Sequence, residues 1–313
     1  MLIDSQYLKA LAAAVGFSDC GIARAESLTD DEYPLGEWLA LGYQADMHYM
    51  ERNAQMRRDP RLLVEGAQSV ISLVLPYKPD RQIESSARIA QYAYGEDYHE
   101  RLKRMMYQLI ARLKERYPDF DARPFVDTAP ISDRHWAVRA GLGWIGRNTL
   151  FIHPHFGSYC FLGEIVTTAQ VDRYDEPSFS DPCGDCRLCV DACPNKAIID
   201  RQTKDSLQNS KSKIQNLLDA RRCTSYNTIE NRAESLPDEL DTRGYAFGCD
   251  ICQSVCPYNR QAPSAYHLDD ERKAQLEALP DADEAVFRRF AKHSALSRIK
   301  YPQWQRNINK SRR

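Results

Sequence analysis

The chain has 313 residues, 42 Lys and Arg against 44 Asp and Glu, and a formal net charge of −2. No global basic field draws it to nucleic acid, so any such contact must use a local patch. It has no apolar run of about eighteen residues, so no membrane-spanning helix is expected. Its start, from Met1, lacks the basic stretch or twin arginines of an export signal, and a cytoplasmic protein is expected.

The Ala- and Leu-rich residues 5–15 end at Gly16 and predict a helix with a glycine stop. Phe17 to Ala23 reads as a strand, and Ser69 to Leu75 as a buried strand closed by Pro76. Glu96 to Tyr117 predicts a long charged helix with Leu102, Met106, Leu109, Ile110 and Leu113 on one face. Arg123 to Asp127 is a short strand with Asp127 at its end. Ile131 to Ala140 is helical, Gly141 to Gly146 a glycine-punctuated turn, and Phe151 to Ile165 two strands around Gly157. This alternation predicts an α/β domain over residues 1–175. Gly141, Gly143 and Gly146 match the letters of a dinucleotide fingerprint. They follow a helix rather than a strand, so a nicotinamide or flavin is not expected there.

The polar stretch from Asp172 to Ser180 contains Pro177 and marks a boundary. A cysteine-rich domain follows over residues 176–262, with residues 200–217 as a polar inserted loop. Residues 263–313 form a helical tail with a basic end. Cys183, Cys186, Cys189 and Cys193, then Pro194, spell the bacterial ferredoxin run C-x2-C-x2-C-x3-C-P. Cys249, Cys252 and Cys256, then Pro257, repeat it with one cysteine missing, and Cys223 can supply that ligand. In such runs the fourth cysteine serves the neighbouring cluster. The spacing therefore assigns Cys183, Cys186, Cys189 and Cys256 to one four-iron, four-sulfur cluster. It assigns Cys193, Cys223, Cys249 and Cys252 to the other. Paired C-x2-C units also bind zinc, but they do not account for the third cysteine or the two Cys-Pro closures. Cys20 and Cys160 stand alone in apolar segments and read as small buried core residues.

Several segments outside the cysteines resemble one family. They are Val126 to Pro130, Asp133 with Arg134, Arg139 to Asn148, Gly157 with Ser158, and Leu162 to Glu164. Tyr94 to His99, Ser294 to Arg298 and Arg306 with Asn307 add to them. In order and with the same cysteine pattern they are similar to epoxyqueuosine reductase, over nearly the whole chain. The resemblance implies an enzyme that reduces the epoxide of epoxyqueuosine at the wobble position of tRNA, giving queuosine. It implies cobalamin, two four-iron, four-sulfur clusters, a soluble low-potential electron donor and a monomer. The fold implied is an α/β or α+β cobalamin domain, then a ferredoxin-like two-cluster domain and the helical tail.

The resemblance also places a proton-donating acid at Asp127. To act near neutral pH, Asp127 would need a pKa raised above ~3.9. Arg58, Tyr94, Asp127, Gly157 and Ser158 are the positions expected against the cofactor. Glycine at 157 would let backbone approach the corrin amides. Asp97 with His99, and Asp133 with His135, begin a D-x-H-x-x-G cobalamin motif, but Leu102 and Val138 occupy the glycine position. Base-off cobalamin without a histidine ligand is expected, with both histidines making local hydrogen bonds. For RNA, the basic candidates are Arg57, Arg58 and Arg61, then Lys211, Lys213, Arg221 and Arg222, then Lys300 to Arg313. Trp136, Trp144 and Tyr94 are candidates to stack on an extruded base. Two rival readings are a ferredoxin-like electron carrier and a dehalogenase-like cobalamin enzyme acting on a small molecule.

Overall fold

The computed structural model describes residues 1–200 and 216–312. β1 (Leu2–Ile3) leads into α1 (Ser5–Val15), where the Asp4 carboxylate accepts from the Tyr7 N–H and Gly16 stops the helix at φ 109°. Only glycine adopts that left-handed stop without strain. β2 (Asp19–Arg24) precedes three short helices, α2 (Leu35–Ala40), α3 (Tyr49–Arg52) and α4 (Ala54–Arg58). β3 (Ser69–Pro76) is buried along its whole length and includes Pro76 as its last residue. β4 (Arg88–Ile89), α5 (Tyr98–Arg116), β5 (Ala122–Phe125) and α6 (Asp133–Arg139) follow. Then come β6 (Trp144–Ile145), β7 (Phe151–Ile152), β8 (Cys160–Thr167) and β9 (Gln170–Val171).

The central sheet has the order β2-β3-β8-β5, and each of its three pairings is antiparallel. The expected mix of helix and sheet is present, and the antiparallel pairing puts it on the α+β side. Side chains alternate across the sheet. One face carries Ile22, Ile71, Leu73 and Ile165 under α1 and α5, whose Leu102, Met106, Leu109, Ile110 and Leu113 are all buried. Each such side chain contributes about 1.5–3 kcal/mol when fully buried. The other face carries Val70, Val74, Phe125, Leu162 and Val166 under Trp136 and Ala137 of α6.

The second half holds α7 (Leu188–Ala192), β10 (Ile198–Asp200), β11 (Asn216–Leu218), α8 (Thr224–Ile229) and β12 (Tyr245–Phe247). It continues with α9 (Ile251–Ser254), α10 (Pro257–Gln261), α11 (Asp270–Ala278), α12 (Glu284–Ala291) and α13 (Tyr301–Ser311). β10 and β11 pair antiparallel, so the ends of the expected 200–217 loop are strand. Residues 201–215, including Lys211 and Lys213, lie outside the described residues.

The C-terminal helices do not form a free tail. Leu276, Phe287, Leu296, Trp304 and Ile308 share one core with Ala87, Ile89, Ala93 and Tyr94. β4 pairs parallel with β12, and the Asp97 N–H donates to the His293 carbonyl at 3.0 Å. The tail thus clamps the start of α5. Among the described residues no helix is long and apolar enough to cross a membrane.

Candidate active site

Two cavities of about 350 Å³ divide the eight clustered cysteines four and four. Cys183, Cys186, Cys189 and Cys256 line one, beside Leu188, Pro257 and Tyr258. Cys193, Cys223, Cys249 and Cys252 line the other. The loop before α7, the starts of α9 and α10, and the start of α8 bring them together across the sequence. Burial pushes the Cys189 thiol up to about 11, with crowding by Cys183, Cys256 and Cys186 adding to it. Burial likewise pushes Cys249 to about 12, with Cys223 and Cys193 contributing. Such crowded sulfurs become thiolates when cationic metal balances them. Among the described residues no group of three His, Cys, Asp or Glu is drawn tightly enough to hold a single ion.

The second cysteine set shares its cavity with Asp127. β5 ends at Phe125, and a tight turn, with the Ala129 N–H donating to the Val126 carbonyl, presents Asp127. The first turn of α5 meets it there. Tyr98 donates its hydroxyl to Asp127 Oδ2 at 2.5 Å, and His99 Nε2 lies 2.8 Å from Asp127 Oδ1. His99 Nδ1 lies 2.6 Å from the Asp97 carboxylate, so the imidazole bridges two acids. The Tyr98 ring is stacked between His99 at 3.9 Å and Phe161 at 4.4 Å.

These contacts reverse the expected shift of Asp127. Burial raises its carboxyl, but the hydrogen bonds from His99 and Tyr98 and the charge of His99 outweigh burial and hold it below the usual range. For His99, burial works against the cation, and the two carboxylates overcome it and raise it from 6.5 to about 9. At neutral pH the dissociable proton therefore sits on His99, hydrogen-bonded to Asp127. The acid is the pair, not the lone carboxyl. His99 does make the local bond expected of it, to Asp97. Its contact with Asp127 has no local signal, because 28 positions separate the two.

A curated epoxyqueuosine reductase of Cyclobacterium marinum is 41% identical to this chain over 316 aligned positions, covering 97% of this chain and 96% of that one. The chain belongs to the epoxyqueuosine reductase family. The profile described as epoxyqueuosine reductase QueG, DUF1730 matches residues 57–128. That described as a 4Fe-4S double cluster binding domain matches residues 182–259, the span that holds all eight clustered cysteines. The solved epoxyqueuosine reductase of Streptococcus thermophilus superposes with a TM-score of 0.81 at 27% identity, over 98% of this chain and 80% of that one. An epoxyqueuosine reductase crystallised with an epoxyqueuosine-modified tRNA-Tyr stem loop superposes with a TM-score of 0.78 at 28% identity, over 97% and 80%.

Within this epoxyqueuosine reductase fold, the other expected cofactor positions are dispersed. Ser158 lines the Asp127 cavity. Tyr94 is 3% exposed in the core beneath the C-terminal helices, and its neighbours Tyr92 and Tyr98 line the cavity instead. Arg58 is held away by an ion pair with Asp30 at 2.7 Å and lies over the Tyr33 ring. At Gly157, with φ 63°, a Cβ would collide with the Asn259 side-chain oxygen. That oxygen accepts the Ser158 N–H at 2.6 Å, and Asn259 Nδ2 donates to Ser158 Oγ at 2.8 Å. The turn before β8 is thereby latched to α10, next to Cys256. Cys160, read as core, lines the cavity, while Cys20 is buried as expected.

Sequence reasoning missed Asn148, which lines both cysteine cavities and whose buried Nδ2 has no partner. It also missed Asp133 and Arg134 as cavity walls. His135 makes its local bond, to Ser132 at 2.7 Å, and burial holds it neutral. The stacking candidates are withdrawn from any RNA: Trp136 and Trp144 are buried, the latter between Phe179 and Tyr258. Most of the basic candidates are engaged too. Arg57 is buried, Arg61 pairs with Asp59, Arg221 with Asp219, and Arg312 with Asp281, and Arg306 donates to the carbonyls of Asn227, Asn231 and Ala233.

Proposed function

We propose that this protein reduces the epoxide of epoxyqueuosine to give queuosine at the wobble position of tRNA. One observation carries the reading: a four-cysteine wall and Asp127, with His99 bonded behind it, face the same cavity, so electrons and a proton can be delivered to one place. The family and the stem-loop complex of a relative support the substrate.

The residues present fit the two kinds of cofactor. The two cysteine sets would hold one four-iron, four-sulfur cluster each, which supplies one-electron transfer when bound. The lining of the Asp127 cavity has the chemistry that one part of a corrin would meet. Tyr77, Tyr92, Tyr98 and Phe161 give it flat apolar walls, while Asn148, with its unpartnered Nδ2, Ser158 and Gln253 offer partners for corrin amides. When bound, cobalamin supplies a reduced cobalt able to pass electrons to carbon.

The protein's own part is positioning and proton supply. Asp97 orients His99, His99 holds the proton, and Asp127 with Tyr98 directs it toward the leaving oxygen. Arg298, in a bidentate pair with Glu230 at 2.8 Å, adds positive charge within electrostatic reach of Asp127. The cavity of Cys183, Cys186, Cys189 and Cys256 shares only Asn148 with the Asp127 cavity and lies beside Leu188, which is 46% exposed. That is the side on which a low-potential donor protein docks. A plain electron carrier has no use for the Asp97–His99–Asp127 array at the far cavity.

The test is nucleoside mass spectrometry of tRNA from a strain lacking the gene. Epoxyqueuosine should accumulate and disappear on complementation with the wild-type gene but not with Asp127→Asn. Normal queuosine in the deletion strain, with no second such enzyme in its genome, overturns the assignment.

A further inference from the structure

Behind the cavity, between the central sheet and α6, lie polar groups that the mechanism above leaves without a task. Glu164 sits in the middle of β8, opposite Ser72 of β3 and Phe125 of β5. Alternation along the strands puts it on the face of Leu162 and Val166, beneath Trp136 and Ala137 of α6. It is 0% exposed. Both of its carboxyl oxygens, the Ser72 hydroxyl and the Trp136 indole N–H are buried without a hydrogen-bond partner. A carboxyl in the middle of a sheet, among Val, Leu and Phe, is among the costliest side chains a core can keep. Packing gives no reason for it, since Leu or Met would fill the same volume.

Its surroundings give one. Asp133, the first residue of α6, lines the same cavity as Asp127 and accepts the Arg134 N–H at 2.8 Å. Burial pushes the Glu164 carboxyl well above its ordinary range, toward the neutral form, and the nearby charges of Asp133 and Asp127 reinforce it. Burial also raises Asp133; Asp127 adds to that, while Arg134 and Arg57 oppose it. His135, on the same helix, is neutral. Asp127 and Asp133 line the cavity, and Glu164 lies behind them in the sheet, on the face that α6, the helix begun by Asp133, covers.

The chemistry calls for such a store. Removing an epoxide oxygen as water breaks two C–O bonds, forms a C=C bond, and consumes two electrons and two protons. The electrons arrive through the metal centres, but the Asp127–His99 pair carries a single proton. We propose that Glu164 holds the second proton and passes it, by way of Asp133, to the Asp127–His99 pair during turnover, a role that rests on the epoxide-reducing reading. Glu164 touches no substrate; it acts through Asp127 and regains its proton from solvent once product has left.

Infrared difference spectroscopy of the cluster-loaded protein, in water against deuterium oxide, reads the stored proton without turnover. At about pH 8, above the ordinary carboxyl range, a protonated-carboxyl band should be present. It should vanish in Glu164→Gln and survive in Asp133→Asn. In single turnover on epoxyqueuosine tRNA, Glu164→Gln should be slower by roughly tenfold or more and regain rate as small buffer acids are raised, which a purely structural defect would not do. A band that persists in Glu164→Gln, a band lost in Asp133→Asn, or an unchanged and buffer-independent rate each overturns the proposal. Wild-type protein that shows the band yet leaves epoxyqueuosine tRNA intact overturns the function itself, and a missing band with turnover intact overturns the role of Glu164 alone.

Discussion

Gly157→Ala tests the latch between the two halves of the molecule. The left-handed backbone at 157 costs an L side chain about 1–2 kcal/mol. The new methyl also displaces the Asn259 amide, which strips the Ser158 N–H of its acceptor and Ser158 Oγ of a donor. Leaving buried groups unpaired adds about 1–3 kcal/mol, for a total of roughly 2–5 kcal/mol. Asn259→Ala should itself cost about 1–3 kcal/mol through the same lost bonds. The double variant counts that loss once, so the two effects should fall short of additivity by about 1–3 kcal/mol. Thermal unfolding of the anaerobic, cluster-loaded proteins measures the cycle, and iron content reports whether the site of Cys256, just ahead of Asn259, loosens with it. Additivity within about 0.5 kcal/mol would show that Gly157 and Asn259 do not act through each other, and the latch would be refuted.

Cys223→Ala should cost the site of Cys193, Cys249 and Cys252 and leave the other able to assemble, so about half the iron is lost; loss of all iron, or none, contradicts the grouping. Asp127→Asn should keep cobalamin binding, read by its visible spectrum, while turnover falls by roughly 10²–10⁴; full activity would remove Asp127 from proton transfer. His99 is raised in the fold from 6.5 to about 9, so the stability it contributes, at most ~3 kcal/mol, is complete below about pH 6.5 and fades as pH rises through about 9. Asp97 and Asp127 are lowered, so their share is present above their ordinary 3.8 and is lost as pH falls through their lower folded values. The unfolding midpoint of His99→Gln should therefore converge with wild type above about pH 9, and a gap unchanged with pH would deny the array its charge.

The cysteine grouping was legible because ligand spacing is local and the exchange of the fourth ligand is a rule of the motif. Helix α5 was legible from its apolar face, though it starts two residues later than Glu96 because Asp97 caps it. The antiparallel order of the sheet was not, because β2, β3, β8 and β5 meet over long separations with no hairpin signal. Asp127 could be named from resemblance, but its ionisation could not, since that depends on His99 arriving from another element. Tyr94 and Tyr92 show the remaining gap. Two positions apart on a short 3₁₀ turn, one faces the core and the other the cavity, and composition does not tell them apart.

The clamp of the C-terminal helices on the start of α5 has a consequence for biosynthesis. Asp97, which orients His99, is fixed by the carbonyl of His293, and Ala87 to Tyr94 find their core only when Phe287, Leu296 and Trp304 exist. Residues 87–97 cannot take their final positions until residues near 300 have been translated. The packing beside His99 is therefore completed only after all eight clustered cysteines have been translated.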